Sequence, residues 1–172
     1  MRKVEVSSYR EKWTFNFAEE AEKLKLIFGD VVVAIHHIGS TSVPGLKAKP
    51  IIDIMPVVQD IGIIDQYNQA MRNIGYEPKG EKGIPGRRYF QKGGDNRTHH
   101  VHIYEVGNIE IKRHLAFRDY LKSHPEAMKR YGELKERLAQ QFPYDVDSYI
   151  KGKELLVNEI EEKALKWIEE IG

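Results

Sequence analysis

A short turn near residue 40 combines glycines with hydroxyl side chains and is a candidate anion-binding site. It reads Gly39-Ser40-Thr41-Ser42-Val43-Pro44-Gly45 and lies between two apolar runs. Glycines let a backbone approach a ligand closely, and exposed N–H and hydroxyl donors bind phosphate without a net positive charge. The turn has neither the Gly-Lys-Ser/Thr end of a Walker loop nor a Gly-x-Gly-x-x-Gly dinucleotide motif. We expect phosphate binding by Gly39, Ser40, Thr41 and Ser42, with a plain tight turn between strands as the alternative.

A single carboxylate, Asp53, interrupts the apolar run at residues 50–58. An ionised carboxylate in a buried strand is costly unless it is paired, hydrogen-bonded or bound to a cation. Beside the preceding turn, Asp53 would hold a magnesium ion, which typically takes one or two carboxylates together with substrate phosphates and water. The alternative is a salt bridge to Lys47, to Lys49 or to an arginine.

Histidines alternate along a predicted strand at residues 98–105. The two-residue period of a strand puts His100 and His102 on the same face. With Asp53 and His37 they would form a nitrogen-rich site suited to zinc, manganese or nickel rather than magnesium. The imidazoles could instead contact a phosphate, move a proton near neutral pH, or serve only as hydrogen-bonding structure.

Six residues elsewhere in the chain are candidates for further phosphate contacts. Arg88 carries a guanidinium that can bind phosphate or carboxylate through two hydrogen bonds. The same holds for Arg87, Arg97 and Arg113. Tyr149 and Lys153 are one helical turn apart and can face one site, with the lysine as a point charge for phosphate. The simpler alternatives are a surface charge for each arginine and a solvated helix start for the pair.

The rest of the sequence must supply the elements that position these residues. Apolar residues at helical steps predict helices over residues 10–28, 61–74, 109–122, 125–141 and 147–171. Apolar runs predict strands over residues 31–35, 50–58, 88–91 and 98–105. The first strand is expected to be buried on both faces, because it lacks polar alternation. Residues 93–96 predict a hairpin between the last two strands, and the first two strands are joined by too few residues for a crossover helix.

These elements predict an α/β or α+β domain, with a mixed sheet flanked by helices and a C-terminal helical group, as one domain over residues 1–172. The composition is that of an ordinary folded protein, with 41% hydrophobic and 31% charged residues. The net charge of +1 predicts no strong general binding to nucleic acid, and the absence of cysteine excludes disulfides and thiol nucleophiles. No run approaches the ~18 apolar residues of a membrane span, so we expect a cytoplasmic protein.

Several motifs together resemble the GrpB-like family of the polymerase-β-type nucleotidyltransferase superfamily. They are His37-Ile38-Gly39-Ser40-Thr41-Ser42-Val43-Pro44-Gly45-Leu46, Lys49-Pro50-Ile51-Ile52-Asp53-Ile54, Arg87-Arg88-Tyr89-Phe90 and Arg97-Thr98-His99-His100-Val101-His102. With matches in the helices, the resemblance covers nearly the whole chain. It implies a nucleotidyltransferase-type α/β core, whose ligand would be a nucleotide or another phosphate-bearing small molecule. A related domain is fused to dephospho-CoA kinase, where it resembles a folding accessory.

One residue departs from the superfamily's pattern, in which two carboxylates stand one residue apart after the Gly-Ser turn. Asp53 occupies the first place, but Met55 occupies the next alternate position. A thioether is a poor ligand for a hard cation, which argues against the paired-metal arrangement.

Three functions remain open. The first is metal-dependent nucleotidyl or phosphoryl transfer, with Asp53, His100 and His102 as catalytic residues and metal ligands, and with Lys49 among the phosphate-binding residues. The second is a ligand-binding or folding-accessory module that keeps the fold without the chemistry. The third is a histidine-metal hydrolase. The expected cofactor is a divalent metal, either magnesium or manganese, or zinc or nickel if the histidines bind it; the oligomeric state leaves no signature.

Overall fold

The computed structural model describes residues 3–171 and contains a five-stranded mixed sheet with α-helices. This confirms the predicted α/β class. In chain order the elements are α1 (Lys12–Phe28), β1 (Val32–Ile38), β2 (Ile52–Val58), α2 (Asn68–Asn73), β3 (Tyr76–Pro78), β4 (Arg87–Lys92), β5 (His99–Glu105), α3 (Ile109–Ser123), α4 (Pro125–Gln141) and α5 (Val146–Ile171).

The described residues form two compact units. One unit contains the sheet and comprises Lys12–Ile38 and Ile51–Ile111. The other is mainly helical and comprises residues 3–11, 39–50 and 112–171. The single domain over residues 1–172 stays a prediction, and residues 1, 2 and 172 lie outside the described part of the chain.

In the sheet unit, the strand order is β1-β2-β5-β4-β3. β2 and β5 run parallel, whereas the other neighbouring strands run antiparallel. The predicted hairpin is therefore confirmed as β4–β5, and the short connection from β1 to β2 gives the antiparallel pair that its length requires. This order makes Asp53 of β2 the partner of Ile38 on one side and of His100 on the other.

The prediction that the first strand is buried on both faces is wrong. β1 is an edge strand, Val33 is 55% exposed, and the pairing with β2 is irregular between Val32 and Ala34. A run of β-branched residues has the same composition in an edge strand as in a central one, so the sequence pattern does not separate the two.

The predicted helix over residues 61–74 is divided. Ile61–Tyr67 forms a 3₁₀ helix, and α2 follows it directly. Gly75 ends the segment as predicted, with a positive φ of 98° that suits glycine. The next strand, β3, is absent from the sequence prediction because it has three residues, one of which is Pro78.

α1 packs on the sheet through one apolar stripe. Trp13, Leu24 and Phe28 are buried, which confirms the predicted packing helix. Its Phe17 ring stacks on His37 of β1 at a centroid distance of 4.8 Å. α1 therefore covers the sheet face that carries His37.

In the helical unit, α4 and α5 pack closely around a core that includes Leu46, Tyr131 and Ile160. Gly152 makes the close approach possible, because a Cβ at this position would lie 2.6 Å from a Leu138 methyl carbon. No helix in the described range 3–171 has the length and apolar character needed to cross a lipid bilayer.

Candidate metal and phosphate sites

Asp53, His100 and His102 converge on one face of the sheet. The Oδ1 atom of Asp53 lies 3.0 Å from Nε2 of His102 and 3.4 Å from Nδ1 of His100. The three side chains keep between 14% and 26% of their surface exposed, so a small solute can reach them. Strand alternation predicts that the two histidines share a face, and the parallel pairing of β2 with β5 brings Asp53 to them.

The two histidines determine the charge of Asp53. Burial by itself raises the pKa of Asp53, but hydrogen bonds from His100 and His102, with their charge, outweigh it and hold the pKa far below its usual range. The carboxylate is therefore ionised at neutral pH, which is the form that binds a cation.

The two separations that involve Asp53 fit the ligands of one divalent ion. Three ligand atoms, one from each residue, lie within 4.8 Å of one another. Ligands about 2.1 Å from an ion are separated by about 3.0 Å at right angles and by about 3.4 Å at tetrahedral angles. The distances from Asp53 Oδ1 to the two imidazoles match these separations. A set of two imidazoles and one carboxylate suits zinc, manganese or iron better than magnesium, which prefers oxygen ligands.

Arg87 lies beside the cluster and affects its tautomers. Its Nη1 is 3.5 Å from Nδ1 of His102, and its other guanidinium nitrogens donate to the backbone oxygens of Glu81 and Lys82. Since arginine only donates, this contact favours, whenever His102 is neutral, a bare Nδ1 and a proton on Nε2 that is donated to Asp53. A metal on Nε2 would move that proton to Nδ1 and break the Arg87 contact, which at 3.5 Å is a weak one.

Arg88 faces away from this cluster. Arg88 pairs with Ile103, whereas the next residue of β4, Tyr89, pairs with His102. Adjacent residues of a strand point to opposite faces, so Arg88 is directed away from His102. Its Nε donates to Asp65 at 2.8 Å. The structure thus brings Arg87, rather than the predicted Arg88, to the cluster.

His37 also lies away from the cluster, in contrast to its predicted place among the metal ligands. It is the partner of Ile54, whereas Ile38 is the partner of Asp53. Adjacent residues of a strand point to opposite faces, so His37 is directed to the face that α1 covers.

In the helical unit, the Gly39–Ser42 turn contains a contact that the sequence analysis missed. Lys135 of α4 is 2% exposed, and its Nζ donates to Ser40 Oγ at 2.7 Å. The same ammonium group lies 4.4 Å from the centroid of the Tyr131 ring. Lys135 is 95 residues from Ser40 in the chain. In the sequence, the feature that could have indicated this buried lysine is its position beside the apolar stripe of α4, four residues after Tyr131.

The other residues of the turn are well ordered by local bonds. Ser42 donates its hydroxyl to the Gly39 carbonyl, and Thr41 is 2% exposed. Gly39 has a φ of 72° with an extended ψ of −173°, a conformation that is essentially restricted to glycine. The glycine is therefore required by the turn itself, whatever the turn binds.

Lys49, Tyr149 and Lys153 form a second group in the helical unit. The ammonium groups of Lys49 and Lys153 lie 4.5 Å and 4.9 Å from the Tyr149 ring centroid. Tyr149 is buried, and burial raises the pKa of its hydroxyl well above its usual range. The predicted helical pair, Tyr149 and Lys153, thus lies next to Lys49. The role of these three residues in phosphate binding stays a prediction.

Comparison with known proteins identifies close relatives. The family model described as "GrpB protein" matches residues 3–163. The UPF0157 protein YqkA of Bacillus subtilis is 55% identical over 96% of this chain, and the glutamate-rich protein GrpB of Alkalihalophilus pseudofirmus is 34% identical over 89% of this chain and 91% of its own length. This chain spans 48% of the length of the Bacillus subtilis protein.

Solved structures agree with these relatives. The crystal structure of conserved protein GrpB from Enterococcus faecalis aligns with a TM-score of 0.93 and 47% identity, covering 95% of this chain and 99% of that one. Nucleotidyltransferases occur among the structural neighbours, with the Cid1 poly(U) polymerase at 13% identity and a TM-score of 0.48, which is too low to support an argument about activity. A dephospho-CoA kinase of Mycolicibacterium paratuberculosis is 23% identical over 94% of this chain, as the resemblance implies. The chain belongs to the GrpB family.

Proposed function

We propose that this protein transfers a nucleotidyl or phosphoryl group with the help of one divalent metal ion held by Asp53, His100 and His102. The observation that supports the proposal is the convergence of an ionised carboxylate and two imidazoles, each imidazole at a ligand-like separation from the carboxylate oxygen. Such an ion, when bound, polarises a phosphoryl oxygen and offsets negative charge that develops on it. Zinc and manganese fit the donor set better than magnesium.

The residues of the turn would hold the phosphates of the ligand. Lys135, which donates to Ser40, would add a positive charge, and a charge-assisted hydrogen bond is stronger than a neutral one. In the sheet unit, Arg87 would stabilise developing negative charge, since phosphoryl transfer is catalysed mainly by positioning and electrostatics.

The proposal is tested by calorimetric titration with zinc, manganese and magnesium, followed by ATP, GTP and CTP in the presence of the metal that binds. Asp53→Asn is expected to weaken metal binding by at least ~10-fold, because it removes the charged ligand from the set. Asp30→Asn, which changes an exposed aspartate of the same unit, is the matched control and is expected to bind metal normally. If neither metals nor nucleotides bind the unmodified protein at millimolar concentration, the proposal is wrong.

A second candidate is a ligand-binding or folding-accessory role without transfer chemistry. Met55 favours it, because this side chain is fully buried and supplies no oxygen where the superfamily pattern has a second carboxylate. In this case cells that carry Asp53→Asn in place of the unmodified gene would behave normally. A loss of function with the fold preserved would exclude the accessory role.

A third candidate, a histidine-metal hydrolase, is favoured by the donor set itself, since two histidines and one carboxylate also occur in catalytic zinc sites. Elemental analysis of the purified protein combined with assays on phosphate esters separates it from the transferase. Ester hydrolysis without any nucleotide requirement would favour the hydrolase.

A further inference from the structure

One row of strand partners crosses the sheet at the level of Asp53. Asp53 pairs with His100, His100 pairs with Gln91, and Gln91 pairs with Glu77 of β3. Partners in register share a face of the sheet, and in antiparallel strands their Cβ atoms lie about 4.5–5.5 Å apart. A carboxylate, an imidazole, an amide and a second carboxylate therefore stand side by side on the face that carries the metal ligands.

The contacts at both ends of this row are formed, and the central one is not. Nδ1 of His100 is 3.4 Å from Asp53 Oδ1, and Nε2 of Gln91 donates to Glu77 Oε2 at 3.4 Å. Within the described residues, His100 Nε2 and Gln91 Oε1 are buried and have no hydrogen-bond partner. Two polar atoms, on neighbouring residues of the row, thus lack the partners that buried polar atoms normally have.

The two atoms are chemically complementary. A carboxylate only accepts, so the bond to Glu77 identifies the bonded atom of Gln91 as its amide nitrogen and leaves the amide oxygen as an acceptor. If Nδ1 of His100 offers its lone pair to a metal, its proton is on Nε2, which is then a donor. A metal-bound histidine almost always donates its other N–H to an oxygen.

We propose that Gln91 is a positioning residue for the metal site. A rotation of side chains joins Gln91 Oε1 to the Nε2–H of His100, which fixes the tautomer and ring orientation that bind the ion. Glu77 holds the amide from the other side and is itself held by Lys79 Nζ, 2.7 Å from its Oε1. The inference rests on the proposed function, because it requires an ion at Asp53, His100 and His102.

The test compares Gln91→Met with Gln59→Met, the same change at an exposed glutamine just after β2. Affinities for zinc and cobalt(II) are measured by competition, with folding checked by circular dichroism. Gln91→Met is expected to bind both ions about 10- to 100-fold more weakly, as is typical for the loss of such a partner, while Gln59→Met binds them normally. In the zinc-loaded protein, proton NMR is expected to show an exchange-protected imidazole Nε2–H that Gln91→Met lacks.

A second variant keeps the test decisive if Gln91→Met does not fold. The Glu77 side chain is 59% exposed, so Glu77→Ala leaves the core intact. It is expected to weaken zinc binding in the same direction but by less, because the amide is no longer held. Unchanged zinc affinity in the folded Gln91 variant, with Asp53→Asn defective, overturns the role of Gln91 and leaves the proposed function standing. Failure of the unmodified protein to bind either ion overturns both.

Discussion

Glu20 of α1 gives the sharpest stability prediction in the molecule. This carboxylate is 3% exposed, and its Oε1 accepts hydrogen bonds from Lys92 at 2.6 Å and from Tyr76 at 2.8 Å. Glu20→Gln keeps an oxygen that can accept from both donors but removes the charge that balances the Lys92 ammonium. The substitution therefore isolates the electrostatic part of the contact between α1 and the sheet.

The expected loss in the free energy of unfolding is about 2–3 kcal/mol at pH 7. Removing one partner of a buried ion pair costs about 3–5 kcal/mol, because the remaining charge is left without compensation. The Lys92 side chain is 19% exposed, so water partly solvates its ammonium and the cost falls below that range. Hydrogen bonds to charged groups, at about 1.5–3 kcal/mol each, give a similar figure.

The dependence on pH follows from the direction of the pKa shift. Burial raises the pKa of Glu20, but the hydrogen bonds from Lys92 and Tyr76 outweigh burial and hold it below its ordinary value of 4.5. A carboxylate with a lowered pKa contributes its full stability above the unfolded pKa, and this contribution is lost as the pH falls towards the folded pKa. The stability difference between the unmodified protein and Glu20→Gln should therefore shrink as the pH falls below about 4.5.

Urea denaturation at several pH values measures this difference, with Glu22→Gln as the matched control on the same helix. Glu22 pairs with Lys25 at 3.3 Å, but both side chains are more than half exposed, so the control should lose at most about 0.5 kcal/mol. The reasoning is refuted if Glu20→Gln costs no more than the control at pH 7, or if its cost does not shrink as the pH falls below about 4.5.

Two further predictions concern the turn. Gly39→Ala is expected to lower the free energy of unfolding by about 1–3 kcal/mol, because alanine is strained at the φ and ψ of this position; a neutral effect in urea denaturation would contradict this. Lys135→Met is expected to weaken nucleotide binding by about 10-fold or more through loss of a charge-assisted bond. Calorimetry against Lys129→Met, an exposed lysine of the same helix, checks it, and equal affinities would exclude Lys135 from the phosphate site.

The parts of the fold that follow local rules were accessible from the sequence. The long helices, the β4–β5 hairpin and the common face of His100 and His102 follow from periodicity and turn residues. Each of these features depends on residues close together in the chain, which is where pattern analysis is informative.

The parts that depend on strand order were not accessible in the same way. The neighbourhood of Asp53 and His100 requires β5 to pair with β2, across 47 positions of the chain, and no local pattern encodes that choice. The register of β4 decides that Arg87, and not Arg88, faces the histidine cluster. A shift of one residue in this register would exchange the faces of the two arginines. Lys135 was missed because a buried lysine has the same sequence pattern as a solvated one at the edge of an apolar stripe.

The irregular edge strand has a consequence for the protein in a crowded solution. β1 is the first strand in the sheet order and has a strand neighbour on one side only among the described residues. An edge strand of this kind is where a strand from another molecule can pair, which is a common start of aggregation. The irregularity between Val32 and Ala34 interrupts the regular pairing of this strand at its N-terminal end. An incoming strand would therefore find a regular template only over residues 34–38, and the exposed Val33 lies outside it. A sequence change that straightened this segment would be expected to promote association between copies of the chain before it altered either candidate site.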